Sequence, residues 1–274
     1  MEKDGAQIQR RPYPERLKMI LAIDIGNTNI AIGGFDGAES RFVARISTNA
    51  SKTADEYASK IMHTLSLYNI EKTDVTGAII ASVVPPLSAV VRDAVKFVYG
   101  VAPLFVGPGI KTGIGIQCDN PASVGADIIC ACVAAHNLYG APALIVDMGT
   151  ATKMMVLDKR GAFIGVSIMP GVLMGLKALS SGTAQLPQIS LEAPERVIGK
   201  NTVDCMKSGV VFGHAAMIDA MIDRIFEEYK EEMPVYATGG LSNVIIEHCR
   251  HKITKDINMV LKGLYILYQK NAQS

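Results

Sequence analysis

The sequence predicts an α/β chain built from two copies of one unit, each a sheet with helices on its faces, and three observations carry that prediction. LAIDIGNTNIAIGGFDG (21–37) and LIVDMGTATKMMVLDKRG (144–161) follow one plan about 120 residues apart: apolar strand, Asp, any residue, Gly, small polar residues, second strand, turn. Strand-like runs and helix-like stripes alternate along the chain. Of its 274 residues, 49% are apolar and 19% charged, which suits a globular chain with a sizeable core rather than a disordered one.

From Met19, two apolar runs around small polar residues read as a hairpin closed by Asp36-Gly37. Residues 53–68 place Tyr57, Ile61 and Leu65 on one helical stripe, and Thr53 with Glu56 makes a capping box. GAIIASVV (77–84) reads as a buried strand stopped by Pro85-Pro86, and SAVVRDAVKFVYG (88–100) as a helix closed by Gly100. ASVGADIICACVAAHNLYG (122–140) runs from a Gly-Ala-Asp turn into an apolar helix closed at Gly140. Residues 202–229 form a long amphipathic helix with Met217, Met221 and Ile225 on one face, PVYATGG (234–240) a strand ending in a Gly pair, and 257–271 a closing helix.

No Ser/Pro/Gly-rich linker separates the halves. The boundary is therefore expected at a helix-to-strand junction near Gly140 with a cleft beside it, giving an N-terminal domain over 19–140 and a C-terminal one over 141–274. Residues 1–18 are polar, carry both charges and lack an apolar h-region, so they read as a disordered N-terminal extension rather than a signal peptide.

A net charge of +1 supplies no field that would collect nucleic acid or an anionic membrane. The apolar runs are strand-length, short of the roughly eighteen residues that span a bilayer. Five cysteines, odd in number and without a CxxC pair, point to a reduced interior and a cytoplasmic protein. His248 and His251 are three apart with no third ligand at a metal-binding spacing, and the methionines read as core filler.

A phosphate needs backbone N–H groups and small side chains at close range, with an Asp beside them where a metal ion neutralises charge. Asp24-Ile25-Gly26-Asn27-Thr28-Asn29 offers all three: Gly26 for the bend, Thr28 and Asn29 as donors, and Asp24 to hold hydrated Mg²⁺. Asx residues abound in ordinary hairpin turns too, but a second such turn, Asp147-Met148-Gly149-Thr150-Ala151-Thr152, makes a two-sided grip on one phosphate chain, as in actin-like ATPases. Thr238-Gly239-Gly240 is a third element, where a nucleotide would lie against backbone. Asp127 begins an apolar helix, so it suits either a helix cap or a base that accepts a substrate hydroxyl proton.

Eight motifs stand in the order seen in type III pantothenate kinases, and from Met19 onward the chain resembles that family: DIGNTN, GPGIKTG (107–113), NPASVGAD (120–127), DMGTAT, PG (170–171), TAQLP (183–187), GKNTV (199–203) and ATGG (237–240). The resemblance implies two ribonuclease-H-like domains of the actin-like ATPase superfamily around a nucleotide cleft. It implies ATP-dependent phosphorylation of pantothenate, with ATP and Mg²⁺, a monovalent cation (K⁺ or NH₄⁺) and a homodimer. On that resemblance Asp24, Ile25, Gly26, Asn27, Thr28, Asn29, Ile30 and Ala31 form the first phosphate loop, Thr150 touches ATP, and Asp147 binds the monovalent cation. Gly125, Ala126 and Asp127 line the substrate pocket with Asp127 as catalytic base, and Thr202 reaches substrate across a dimer interface.

Three positions depart from the family pattern. Ile128 stands where Arg is usual, Cys118 where Tyr is usual, and Lys153 where Thr is common. Cys118 and Ile128 are thus expected in the substrate pocket as altered lining, and losing the Arg removes a bidentate partner for the pantothenate carboxylate. Two alternatives stay open: a divergent paralogue phosphorylating another small alcohol, and a non-catalytic regulator like the Bvg accessory factor.

Overall fold

The computed structural model describes residues 18–37, 39–183 and 186–272. The expected extension lies outside these apart from Lys18, as do two residues of the TAQLP motif.

The first half starts with a meander, β1 (Met19–Ile25), β2 (Asn29–Asp36) and β3 (Glu39–Ser47), followed by α1 (Ala54–Ser66), β4 (Val75–Ser82), α2 (Pro85–Tyr99) and β5 (Leu104–Phe105). Its sheet runs β3-β2-β1-β4-β5, antiparallel through β1 and parallel from β1 to β5. After α3 (Ala126–Tyr139) the second half repeats the scheme with β6 (Ala143–Met148), β7 (Ala151–Leu157), β8 (Phe163–Pro170), α4 (Val172–Ser181), α5 (Thr202–Tyr229), β9 (Val235–Thr238), α6 (Ser242–Ile245), β10 (Ile253–Lys255) and α7 (Met259–Asn271). The order β8-β7-β6-β9-β10, with the same parallel and antiparallel pairs, matches the first sheet strand for strand. The two expected sheet-and-helix units are both present, one in each half of the chain.

Local chemistry explains the element ends. Thr53 and Glu56 form the expected capping box at α1, and Gly100 closes α2 in the left-handed region. Pro85 and Pro86 follow the end of β4 at Ser82, as expected of a strand stop, and they also open α2. A proline in the first helical turn lacks only an N–H that has no helical partner anyway.

Helix α3 sits between the halves. Ile129, Cys130 and Val133 join the core of the first sheet with Ala22 and Ile79, while Ile128, Ala131, Cys132 and Ala135 join a second cluster with Ala143, Ile145 and Met155. Apolar all round, it is buried on both flanks. From the far end of the chain α7 returns to the first sheet, burying Leu261, Leu264 and Leu267 against α3 and β1. A Cβ at Gly263 would collide with the Cys130 carbonyl, so glycine lets these helices touch backbone to backbone.

Among the described residues α5, at 28 residues, is long and apolar enough by length and composition to cross a membrane, which the short apolar runs did not anticipate. Its Met206, Val210, Val211, Ala215, Ile218 and Ile222 are buried in the core of the second sheet. Asp219 on the same helix accepts backbone N–H groups from Arg250 and His251.

Candidate functional site

The duplicated hairpins place their bends side by side. Asp24 on β1 pairs across the ladder with Ala31, and its counterpart Asp147 on β6 pairs with Lys153. The first bend, Gly26 to Thr28, is braced by Thr48, whose hydroxyl donates to the Gly26 carbonyl at 2.7 Å while its N–H reaches the Thr28 carbonyl at 3.0 Å. Gly26 carries no Cβ because one would crowd the Asn29 carbonyl. In the second bend Gly149 N–H donates to the Ala151 carbonyl at 3.1 Å. Gly171 packs directly on the Thr150 backbone, with no space for a side chain. The bends meet where the Thr28 and Thr150 hydroxyls hydrogen-bond at 3.0 Å.

A third loop closes on the second. Gly239, at φ +88°, faces the Met148 backbone where a Cβ would clash, and its carbonyl accepts from the Ser242 hydroxyl at 2.7 Å. Gly240 beside it faces open space. Of the Gly pair, then, the first serves loop packing and the second leaves backbone accessible.

The segment expected to form the first phosphate loop divides by face. Asn27, Thr28 and Asn29 are exposed, whereas Ile25 and Ile30 are fully buried in the core and can offer only backbone.

Asp127 lies in the first turn of α3, and Gly125 is the N-cap. Without a side chain Gly125 leaves room for the Asp127 carboxylate, which a Cβ there would strike. Asp127 Oδ1 accepts from the Ile128 N–H at 2.9 Å, where the helix N-terminus favours an anion.

Lys153 joins this group from β7. Its Nζ donates to Asp147 Oδ2 at 2.7 Å and, more closely still, to Asp127 Oδ2. The three side chains are only 12–15% exposed. Burial works against the Lys153 ammonium, but Asp147 and Asp127 outweigh it and hold the lysine above its usual range. Sequence reading marked Lys153 as a departure and missed this contact. The signal was present, since a tight bend at Gly149–Thr150 pairs position 147 with 153 across the hairpin.

Asp24 differs. Among the described residues its carboxylate has no hydrogen bond or ion pair, and burial, then the charges of Asp127 and Asp147, raise it to about 7 against the opposing pull of Lys153. A divalent cation would supply the charge it lacks, so the residues fit Mg²⁺ held by one carboxylate and nucleotide phosphates. Among the described residues no cluster of three or more His, Cys, Asp or Glu could cage a metal alone. A further monovalent cation at Asp147 does not fit, because the Lys153 ammonium already holds Asp147 Oδ2 and Asp127 Oδ2.

The expected acceptor residues are less uniform. Gly125 and Ala126 are half-buried beside Asp127, and Cys118 is half-buried against an apolar cluster. Ile128 is 7% exposed and packs into that cluster with Ala131, Ile145 and Met259, so it is core rather than open pocket lining. Thr202 is exposed in the first turn of α5. It stands about 18 Å along that helix from His214, which meets the buried Thr152 at 3.1 Å.

A family model described as type III pantothenate kinase matches residues 20–224. A conserved protein from Campylobacter jejuni, described as belonging to a Baf family of transcriptional activators, superposes with a TM-score of 0.57 at 17% identity, covering 93% of this chain and 100% of its own. Component A of (R)-2-hydroxyglutaryl-CoA dehydratase from Acidaminococcus fermentans gives 0.56 at 14% identity, covering 93% and 99%. The ethanolamine utilization protein EutJ from Carboxydothermus hydrogenoformans gives 0.52 at 14%, covering 94% and 91%. At these identities the likeness is one of fold.

Proposed function

We propose a function that proceeds from one premise: the chain belongs to the type III pantothenate kinase family, and it is a kinase that uses ATP on a small molecule. Its acceptor, on our reading, is the primary hydroxyl of pantothenate, giving 4′-phosphopantothenate in the first step towards coenzyme A. The observation that carries this reading is the meeting of the two bends at Thr28 and Thr150, together with Asp24, Asp127 and Asp147 lying close enough to feel one another's charge.

In this reading, exposed Asn27, Thr28, Asn29 and Thr150, with the bend amides, hold and orient the nucleotide phosphates, while Asp24 holds Mg²⁺. The metal, when bound, screens phosphate charge. Asp127 accepts the acceptor hydroxyl proton as oxygen attacks phosphorus and the bond to the leaving phosphate breaks, work that needs chiefly position and a proton acceptor. The halves 19–140 and 141–274 are read as the two sides of the grip, with α7 returned to the first. A homodimer is supported by the outer face of edge strand β8, where Ile164, Val166 and Ile168 are exposed beside Leu173 and Met174 of α4. Thr202 would then act on the partner copy.

Burial of Ile128 favours a second reading, a paralogue acting on another small alcohol, because no arginine stands next to Asp127 to take a carboxylate. A non-catalytic role fits less well with three acidic groups gathered in one cleft. The deciding experiment is ADP release by the purified protein with ATP and Mg²⁺ over a panel of alcohols that includes pantothenate and uncharged pantothenol, with product mass checked for one added phosphoryl group. Pantothenate-dependent release is expected; release that prefers another alcohol selects the second reading, and none with any acceptor removes the kinase assignment.

A further inference from the structure

The repeated hairpin contains its own control. At equivalent strand positions, Asp24 faces Ala31 and lacks an ion-pair partner among the described residues, whereas Asp147 faces Lys153 and is paired. A lysine on a strand whose neighbours Thr152, Met154 and Met155 are fully buried would ordinarily turn its charge to solvent. Lys153 instead stays largely enclosed and ends between two carboxylates from different elements, Asp147 of β6 and Asp127 at the head of α3.

Three acidic groups and one ammonium therefore share the cleft, and the ammonium is committed to two of the three. Asp24 is left for a divalent cation. Any further cation brought to Asp147 would meet the like charge of Lys153 at contact distance, in a place too enclosed for water to screen it.

We infer that the Lys153 ammonium is a built-in monovalent cation: it replaces a diffusible ion between Asp147 and Asp127, positions the Asp127 carboxylate, and frees the protein from any requirement for potassium or ammonium. Lys153 is thus a positioning residue acting through Asp127, and this role rests on the kinase reading above. The covalent attachment of the charge fixes its occupancy at every salt concentration.

The test compares wild type with Lys153→Thr and Lys153→Met in potassium, ammonium or tetramethylammonium chloride at equal ionic strength. Thermal unfolding and pantothenate-dependent ADP release are measured for each. Wild type should keep its Tm and its rate within about twofold in all three salts, a difference of under about 0.5 kcal/mol. Lys153→Thr should lose at least about tenfold in rate in tetramethylammonium and regain most of it in potassium or ammonium, with a parallel rise in Tm that wild type does not show. The double variant Lys153→Thr/Asp147→Asn should fold in every salt and gain nothing from potassium. Wild type that itself needs potassium overturns the inference, as does a Lys153→Thr that is unfolded in every salt or insensitive to the cation supplied. If wild type releases no ADP with any acceptor, the kinase reading fails on its own, while the Tm comparison still judges whether Lys153 stands in for an ion.

Discussion

The hydroxyls of Thr28 and Thr150, 122 positions apart in the chain, lie 3.0 Å from each other where the two bends meet. Each bend belongs to a different copy of the duplicated hairpin, so this contact joins the two copies directly.

Removing either hydroxyl should loosen the grip on nucleotide more than it loosens the fold, since both residues are exposed. Thr28→Val and Thr150→Val should each weaken ATP binding by roughly two- to tenfold, the range expected for one neutral hydrogen bond. The double variant should fall short of the product of the two, because the hydroxyls share a bond. Calorimetric titration with ATP checks this, and full additivity would mean that the contact is incidental.

Asp127→Asn should leave ATP affinity within about twofold, since the amide oxygen can still accept from Lys153, yet lower kcat by roughly 10² to 10⁴ for want of a proton acceptor. Stopped-time ADP release with separate nucleotide titration would distinguish the effects. Unchanged turnover would reduce Asp127 to a partner of the α3 N-terminus.

The sequence marks Ile128 as standing where a carboxylate-binding arginine is usual, and the burial of Ile128 means that an arginine cannot simply be put back there. Ile128→Arg would bury a guanidinium among Ala131, Ile145 and Met259, with a cost of at least about 3 kcal/mol. Urea unfolding should show a lowered midpoint at an unchanged m-value. A variant as stable as wild type and tighter for pantothenate would show that the side chain can swing into the cleft.

The free protein should lose stability as pH rises from the ordinary carboxylate range towards 7, because Asp24 in the fold, raised to about 7, keeps a proton that the unfolded chain has already released. The groups facing it are Asp127, Asp147 and Lys153. Asp24→Asn should flatten that decline and stabilise the metal-free, nucleotide-free protein at pH 8 by about 1 to 2 kcal/mol, allowing for partial solvent contact. Tm measured from pH 5 to 8 in both proteins decides it. An unchanged slope in the variant would assign the titration to another group.

The repeat, the order of strands and helices, the Thr53–Glu56 cap and the glycines at the bends were legible in sequence because each rests on local chemistry or on periodicity. The Asp24 and Asp147 positions were legible for the same reason: a duplicated pattern places equivalent residues at equivalent strand ends. Pro85-Pro86 read correctly as a strand stop but hid the start of α2, because two prolines can end a strand and open a helix with the same local preference.

What the sequence by itself determined is therefore the duplicated unit and the two acidic bends. Only the tertiary structure decided three further matters. Helix α3 is apolar all round, so nothing in its pattern says which face Ile128 occupies until two sheets enclose it. Helix α7 could have covered either half, and backbone contact at Gly263 puts it on the first. Lys153 and Asp127 are 26 positions apart with no shared motif, and their pairing depends on where the head of α3 meets the edge of the second hairpin. Charge partners across such distances follow from packing, and packing is settled by the whole apolar surface at once rather than by any one segment.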